Sequence, residues 1–223
     1  MPRVLEPEVM DEEAQCLAYA QADFSRENQT FVDLFRQYFP DLTSGHVLDL
    51  GCGPADIPIR FVRALPGCRV TGIDASPTMI RLGETAVRDM GLADRIALQC
   101  AKVQGLASSG AIPDQADAIM SNSLLHHLPN PLAFWFEVKR LAKPGSPVLV
   151  MDLLRPDSPE TAHAIVDRYA ADAPAILKRD FYNSLLAAFA DDEVAAQLAE
   201  MNLSRLLIDV IDDRHWVVGG LVL

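Results

Sequence analysis

The chain has 223 residues, half of them apolar and 22% charged. That is an ordinary balance for a fold large enough to bury a core without disulfides or a metal. Its 31 acids against 19 Lys and Arg give a formal charge of −12, which argues against nucleic acid and against an anionic membrane surface, because both draw their affinity from clustered positive charge.

Two helical patterns come first. Residues 11–24 open on Asp11, Glu12 and Glu13, acids that suit the positive end of a helix, and residues 27–39 carry Phe31, Leu34, Phe35 and Tyr38 at helical spacing. From residue 46 the pattern changes: "HVLDL" predicts a strand, and "ADIPIRFVRAL" a helix with Ile57, Phe61, Val62 and Leu65 inward. "CRVTGID" is a second strand. "SPTMIRLGETAVRDMG" is a helix with Ser76 as N-cap, Pro77 at its first position and Gly91 as its stop. "RIALQC" and "ADAIMSN" are further strands, Asn130-Pro131 starts a helix that runs to Ala142, and "PVLVMDLL" is a fifth strand. Two helical stretches then interrupt the alternation across residues 156–190, and a helix and two strands, "RLLIDVI" and "HWVVGGL", close the chain.

Short strands alternating with helices predict a parallel sheet covered on both faces, a doubly wound α/β domain. The expected organisation is one domain: residues 1–45 as an N-terminal helical cap, 46–155 as the core, 156–190 as a helical insertion, and 191–223 as the closing helix and strands. The cysteines, Cys16, Cys52, Cys68 and Cys100, form no C-x-x-C pair and no zinc spacing. Free thiols in a reducing, cytoplasmic compartment and no metal are therefore expected. The acidic N terminus (Glu6, Glu8, Asp11, Glu12, Glu13) lacks a signal-peptide pattern, and no apolar run is long enough for a membrane span.

Ligands of such sheets bind beyond the carboxyl ends of the strands. The turn after the first strand, "VLDLGCGPAD", has Gly51 and Gly53, which allow close backbone approach. A dinucleotide fingerprint asks for Gly or Ala at the position Asp56 holds, and Asp49 faces the same crevice. Asp74 ends the second strand, where a carboxylate can accept from both hydroxyls of a ribose. A cationic group and a ribose without phosphate fit these acids better than a pyrophosphate does.

Residues 46–152 resemble the class I S-adenosyl-methionine-dependent methyltransferase family, in its small-molecule branch. The resemblance is carried by "VLDLGCGPAD", "VTGIDASPTMI", "DAIMSNSLLHHLPNP" and "RLAKPGSPVLVMDLL", in that order. It implies a Rossmann-like, seven-stranded, mostly parallel sheet with an antiparallel last strand, and S-adenosyl-methionine as cofactor with S-adenosyl-homocysteine as product. By position, it implies that Gly51, Cys52 and Gly53 line the methionine part and that Asp49 stands near its amino group through an intermediary. Asp74 would bind the ribose, Ala75 and Met79 would pack near ribose and adenine, and Ser121 and Asn122 would border the sulfonium. The family's third glycine is Ala55 here, a change that a helix start is expected to tolerate. Its usual adenine-binding acid is replaced by Ala101, which leaves backbone, Lys102 or Gln104 for the adenine.

His126-His127 lies just past the fourth strand and can take a proton near neutral pH. Adjacent helical residues point about 100° apart, so one of the two is expected to face the site; His126 is favoured, and either may instead only pack in its loop. The acceptor side is expected from Tyr19, Asp23, Phe24 and Asn28 near the N terminus, and from Asp152, Arg155, Tyr169, Arg179, Phe181, Tyr182 and Asn183 on or near the insertion, acting as a lid over a small molecule. Ordinary helix packing on the core is the alternative for that insertion. Methyl transfer to O, N or C, another reaction of the same sulfonium compound, and a non-catalytic binding module all remain open, as does the oligomeric state.

Overall fold

The computed structural model describes residues 1–7, 9, 12–110 and 115–223. Glu8 and Asp11, two of the acids expected at the N terminus, lie outside the described residues. Seven strands form one sheet: β1 (Ser44–Leu50), β2 (Gly67–Asp74), β3 (Ile96–Cys100), β4 (Ala118–Asn122), β5 (Pro147–Leu153), β6 (Leu207–Val210) and β7 (His215–Leu221). Their order is β3-β2-β1-β4-β5-β7-β6, with β7 antiparallel to both neighbours and the other pairings parallel. The reversal of strand order falls between β1 and β4, so a crevice opens at the carboxyl ends of the two strands that carry Gly51 and Asn122.

Strand residues alternate between two buried layers, as a pleated sheet covered on both faces requires. Leu48, Leu50, Ile119, Val148, Val150 and Trp216 pack on one side against α6 (Pro131–Leu141) and α9 (Asp191–Glu200). Val47, Met120, Leu149, Met151 and Val217 pack on the other against α2 (Ser25–Tyr38), α3 (Asp56–Ala64) and α4 (Pro77–Asp89). Asp49 stands in β1 where this alternation calls for an apolar residue of the second layer. A third, smaller cluster joins Leu153 to α7 (Pro159–Tyr169) and α8 (Ala175–Ala187) through Ile165, Val166 and Leu185.

Three helices start on the same local signal, a capping side chain followed by proline. Ser76 accepts from the Met79 amide at 3.3 Å, Asn130 from Leu132 at 3.1 Å and Ser158 from Thr161 at 3.2 Å. The first helix, α1 (Glu13–Gln21), is shorter than its pattern, because the Asp23 carboxylate accepts from the Ser25 amide at 3.0 Å and turns the chain into α2. A one-turn helix, α5 (Leu106–Ser109), and a 3-10 turn, Leu125–His127, have no periodicity that the sequence could have displayed. No described helix is long and apolar enough to cross a membrane.

Candidate active site

The glycine turn is held by its own amides. Gly51 and Cys52 both donate to the Ile73 carbonyl, at 2.8 and 3.0 Å, and Gly53 donates to Asp74 Oδ2 at 2.9 Å. Three N–H groups that a phosphate-binding loop would aim at its ligand are thus spent within the protein. Gly51 (φ +80°) has no room for a side chain, since a Cβ would lie 2.9 Å from Leu124; Gly53 (φ +50°) opens onto empty space. The Cys52 thiol is buried against Gly72, where a Cβ would sit 2.8 Å from it. Cys52 therefore contributes backbone to the turn, not a reactive side chain.

The tolerance expected of Ala55 needs correction: it caps α3 in the left-handed region, φ 67° and ψ 21°, where a Cβ costs about 1–2 kcal/mol. Asp56 is corrected as well. Its carboxylate takes hydrogen bonds from Arg60 at 2.6 Å and Asn28 at 2.8 Å, so it is neutralised beside the turn and is absent from the cavity lining.

Below and beside the turn the polar groups are acceptors. Asp49 is 1% exposed, its Oδ2 has no hydrogen-bond partner, and burial followed by the nearby Asp74 pushes its carboxyl up to about 8. Asp74 also titrates above the usual carboxylate range through burial, although the amides of Ser76 (2.8 Å) and Gly53 oppose the shift. Asn122 Oδ1, at the end of β4, is buried with no partner.

Asp74 and Asn122 border a cavity of about 740 Å³, whereas Asp49 and Cys52, also expected at the ligand, lie beneath the turn and do not line it; the volume is within the roughly 300–1,000 Å³ of small-molecule sites. Gly51, Gly53, Asp74, Ala75, Met79, Ala101, Lys102, Gln104 and Asn122 line it, as expected. Ser121 does not: its hydroxyl donates to the Leu50 carbonyl at 2.7 Å and ties β4 to β1. The lining holds Asp23, Glu27, Asp74, Asp172 and Asp180 against Lys102 and Arg214, so its wall is acidic.

The far wall comes from α1 and α8, tied by a hydrogen bond from Gln15 to Asp180 at 2.8 Å. Tyr19, Phe24, Tyr169 and Phe181 line this side with Asp23 and Asn28. Burial, then Asp74 and Asp56, push the Tyr19 phenol up to about 12. Three residues expected on the acceptor side are placed elsewhere. Arg155 is taken up by Glu193 (2.8 and 2.9 Å), Tyr182 stacks on His163 between α7 and α8 with ring centroids 4.2 Å apart, and Asp152 is 1% exposed beneath the histidine turn. Arg179 and Asn183 are also absent from the lining.

Asp152 accepts from the amides of Leu125 (2.6 Å) and Leu153 (2.7 Å) and from His126 Nδ1 at 2.5 Å. Although burial opposes it, His126 and these contacts hold the Asp152 carboxyl below its usual range, and Asp152 and Glu6 hold the His126 imidazole above its own. Both histidines reach the cavity wall, their rings 4.1 Å apart, although adjacent residues of a 3-10 turn start about 120° apart; the expectation that only one would face the site is corrected. His126, only 3% exposed and set between two carboxylates, is poorly placed as a free base. Glu6 went unnoticed in the sequence as a partner of the pair: an acid in an extended segment has no periodic or motif signal.

Strand order, glycine turn and an acid closing β2 define a nucleoside-binding doubly wound domain of the methyltransferase type. Residues 47–145 match the family model described as "Methyltransferase domain". A demethylmenaquinone methyltransferase of Lactiplantibacillus plantarum is 32% identical over 120 residues, 52% of this chain and 48% of the relative. A sterol 4-C-methyltransferase of Caenorhabditis elegans is 30% identical over 110 residues, 49% of this chain and 31% of the relative. The matches thus span less than half the length of these curated relatives. Among solved structures, a SAM-dependent methyltransferase from Aquifex aeolicus superposes with a TM-score of 0.65 at 17% identity, over 96% of this chain and all of that one. That likeness extends the fold, though not the activity, to the helices outside the matched segment.

Proposed function

We propose that this chain is an S-adenosyl-methionine-dependent methyltransferase acting on a small organic acceptor. The observation that carries the reading is the set of unspent acceptors around the turn. Asp49 Oδ2 and Asn122 Oδ1 are buried without partners, Gly53 opens onto free space, and the turn's amides are already used. A turn whose amides are spent, beside buried carboxyls, suits a cationic amino-acid end and a ribose better than a pyrophosphate. Asp74 would hold the ribose, Ala75 and Met79 the face of the base, Lys102 or Gln104 its edge, and Asp49 would act on the ammonium through its charge, from beneath the turn.

When bound, the cofactor supplies a methyl group on a sulfonium leaving group. The chain's share is to orient and to exclude water. Tyr19, Phe24 and Phe181 suit an apolar ring of the acceptor, with residues 1–45 and 156–190 closing over it. The acceptor atom, O, N or C, is left to experiment. Cys16, Cys52, Cys68 and Cys100, none of them in a disulfide, support a reducing, cytoplasmic setting, and the charge of −12 supports a partner other than nucleic acid or an anionic membrane.

Calorimetry with S-adenosyl-methionine and S-adenosyl-homocysteine tests the pocket, with binding by the wild type and loss of it in Asp74→Ala as the expected result. Absence of binding by the wild type defeats the proposal. A labelled-methyl screen against metabolite fractions tests transfer; cofactor binding with no labelled product from any fraction favours a binding module.

A further inference from the structure

The N-terminal segment is tied as a strap to the end of α8 and to the histidine turn. The Val4 amide donates to the Leu186 carbonyl at 2.9 Å, and Arg3 donates to the carbonyls of Ala187, His126 and Leu128. This strap delivers Glu6 to the histidine pair. Glu6 Oε1 lies 3.5 Å from His126 Nε2 and 3.0 Å from His127 Nδ1, and the three donor atoms all fall within 4.8 Å of one another.

A dication bound about 2.0–2.2 Å from each donor sets neighbouring donors about 3–3.5 Å apart, the range of the two distances from Glu6 here. The outer contacts are those of a built metal site. Asp152 engages Nδ1 of His126, which leaves Nε2 for a ligand, and Ser184 donates to both Glu6 oxygens, at 3.1 and 3.3 Å. The buried Nδ1 of His127 makes no hydrogen bond despite its distance to Glu6.

We propose that Glu6, His126 and His127 bind a divalent first-row transition metal of the zinc or ferrous-iron class, with its open coordination position toward the acceptor end of the cavity. Two imidazoles and one carboxylate favour that class over magnesium or calcium, which take oxygen donors. Three protein ligands leave room for water or an oxygen of the acceptor, and both histidines line the cavity. The expectation of no metal rested on cysteine and histidine spacing, which cannot register a ligand contributed from residue 6. The ion's use on the acceptor rests on the methyltransferase reading; the binding of the ion does not.

Metal-free full-length chain titrated with Co²⁺ provides the test, without cofactor present. One equivalent should bind with visible d–d bands and no thiolate charge-transfer band, and excess Mg²⁺ should leave the spectrum unchanged. His127→Ala and Glu6→Gln, each checked for folding by circular dichroism, should each weaken binding at least tenfold, and Asp152→Asn about 10–100-fold. No stoichiometric uptake by the wild type, equal uptake by both His127→Ala and Glu6→Gln, thiolate bands, or displacement by Mg²⁺ each overturns the proposal. Calorimetry with S-adenosyl-methionine on the same sample reports separately on the cofactor pocket, so either reading can fail alone.

Discussion

The carboxylate of Asp74, closing β2, accepts a 2.9 Å hydrogen bond from the backbone amide of Gly53, in the turn that follows β1. One acid thus shapes the turn and faces the cavity. Asp74→Ala should lower affinity for S-adenosyl-methionine at least tenfold by calorimetry. It should also cost about 1–3 kcal/mol of stability by urea denaturation, because the Gly53 and Ser76 amides lose their acceptor. Unchanged binding together with unchanged stability would show that the turn stands without the carboxylate.

The two turn glycines should separate folding from binding. Gly51→Ala places a Cβ 2.9 Å from Leu124 at φ +80°, and overpacking of this kind costs about 1–3 kcal/mol beyond the backbone strain. Gly53→Ala meets nothing within 4 Å, so it should cost only the strain, about 1 kcal/mol, while intruding on the ligand. Denaturation and calorimetry on both variants would show whether stability and affinity respond in opposite order.

Asp49 predicts a pH dependence with a definite sign. Its carboxyl stays protonated in the folded chain up to about pH 8, against an ordinary aspartate value of 3.8. Between those limits the unfolded chain has released a proton that the folded chain keeps, so this residue's contribution to stability falls as pH rises and levels off above about 8. The slope approaches about 1.4 kcal/mol per pH unit inside the window. Urea melts at pH 5, 6 and 7 should show the slope in the wild type and a reduced one in Asp49→Asn. Binding of a cationic ligand should favour the ionised carboxylate, tighten with pH and release a proton, and Asp49→Asn should abolish that release.

Ala55 gives a test of stored backbone strain. Ala55→Gly relieves about 1–2 kcal/mol of left-handed strain and forfeits about 0.8 kcal/mol of methyl burial, with extra freedom in the unfolded chain. The net change should be under about 1 kcal/mol. Ala118→Gly removes an equally buried methyl from a regular strand and should cost about 1–2 kcal/mol. Equal losses in the two variants would mean that Ala55 carries no strain.

The core was legible because its signals are local. Strands β1 to β5 read as short apolar runs, the Ser76 and Asn130 starts read as a polar residue followed by proline, and Gly51, Gly53 and Asp74 read from their positions at strand ends. The acceptor side was not legible in the same way. Arg155 and Tyr182 had the right chemistry but found partners, Glu193 and His163, that no spacing announces.

The sequence by itself determined the sheet strands, the glycine turn and the acids beside it, since hydrophobic periodicity and turn chemistry act over a few residues. Only the tertiary structure decided which side chains are spent and which are left over. It turned Ser121 to Leu50, buried Asp152 under His126, and brought Glu6 from the N-terminal strap to the histidine pair. Hydrogen-bond pairing among residues far apart in the chain depends on where the helices pack, and that is not written in any single stretch.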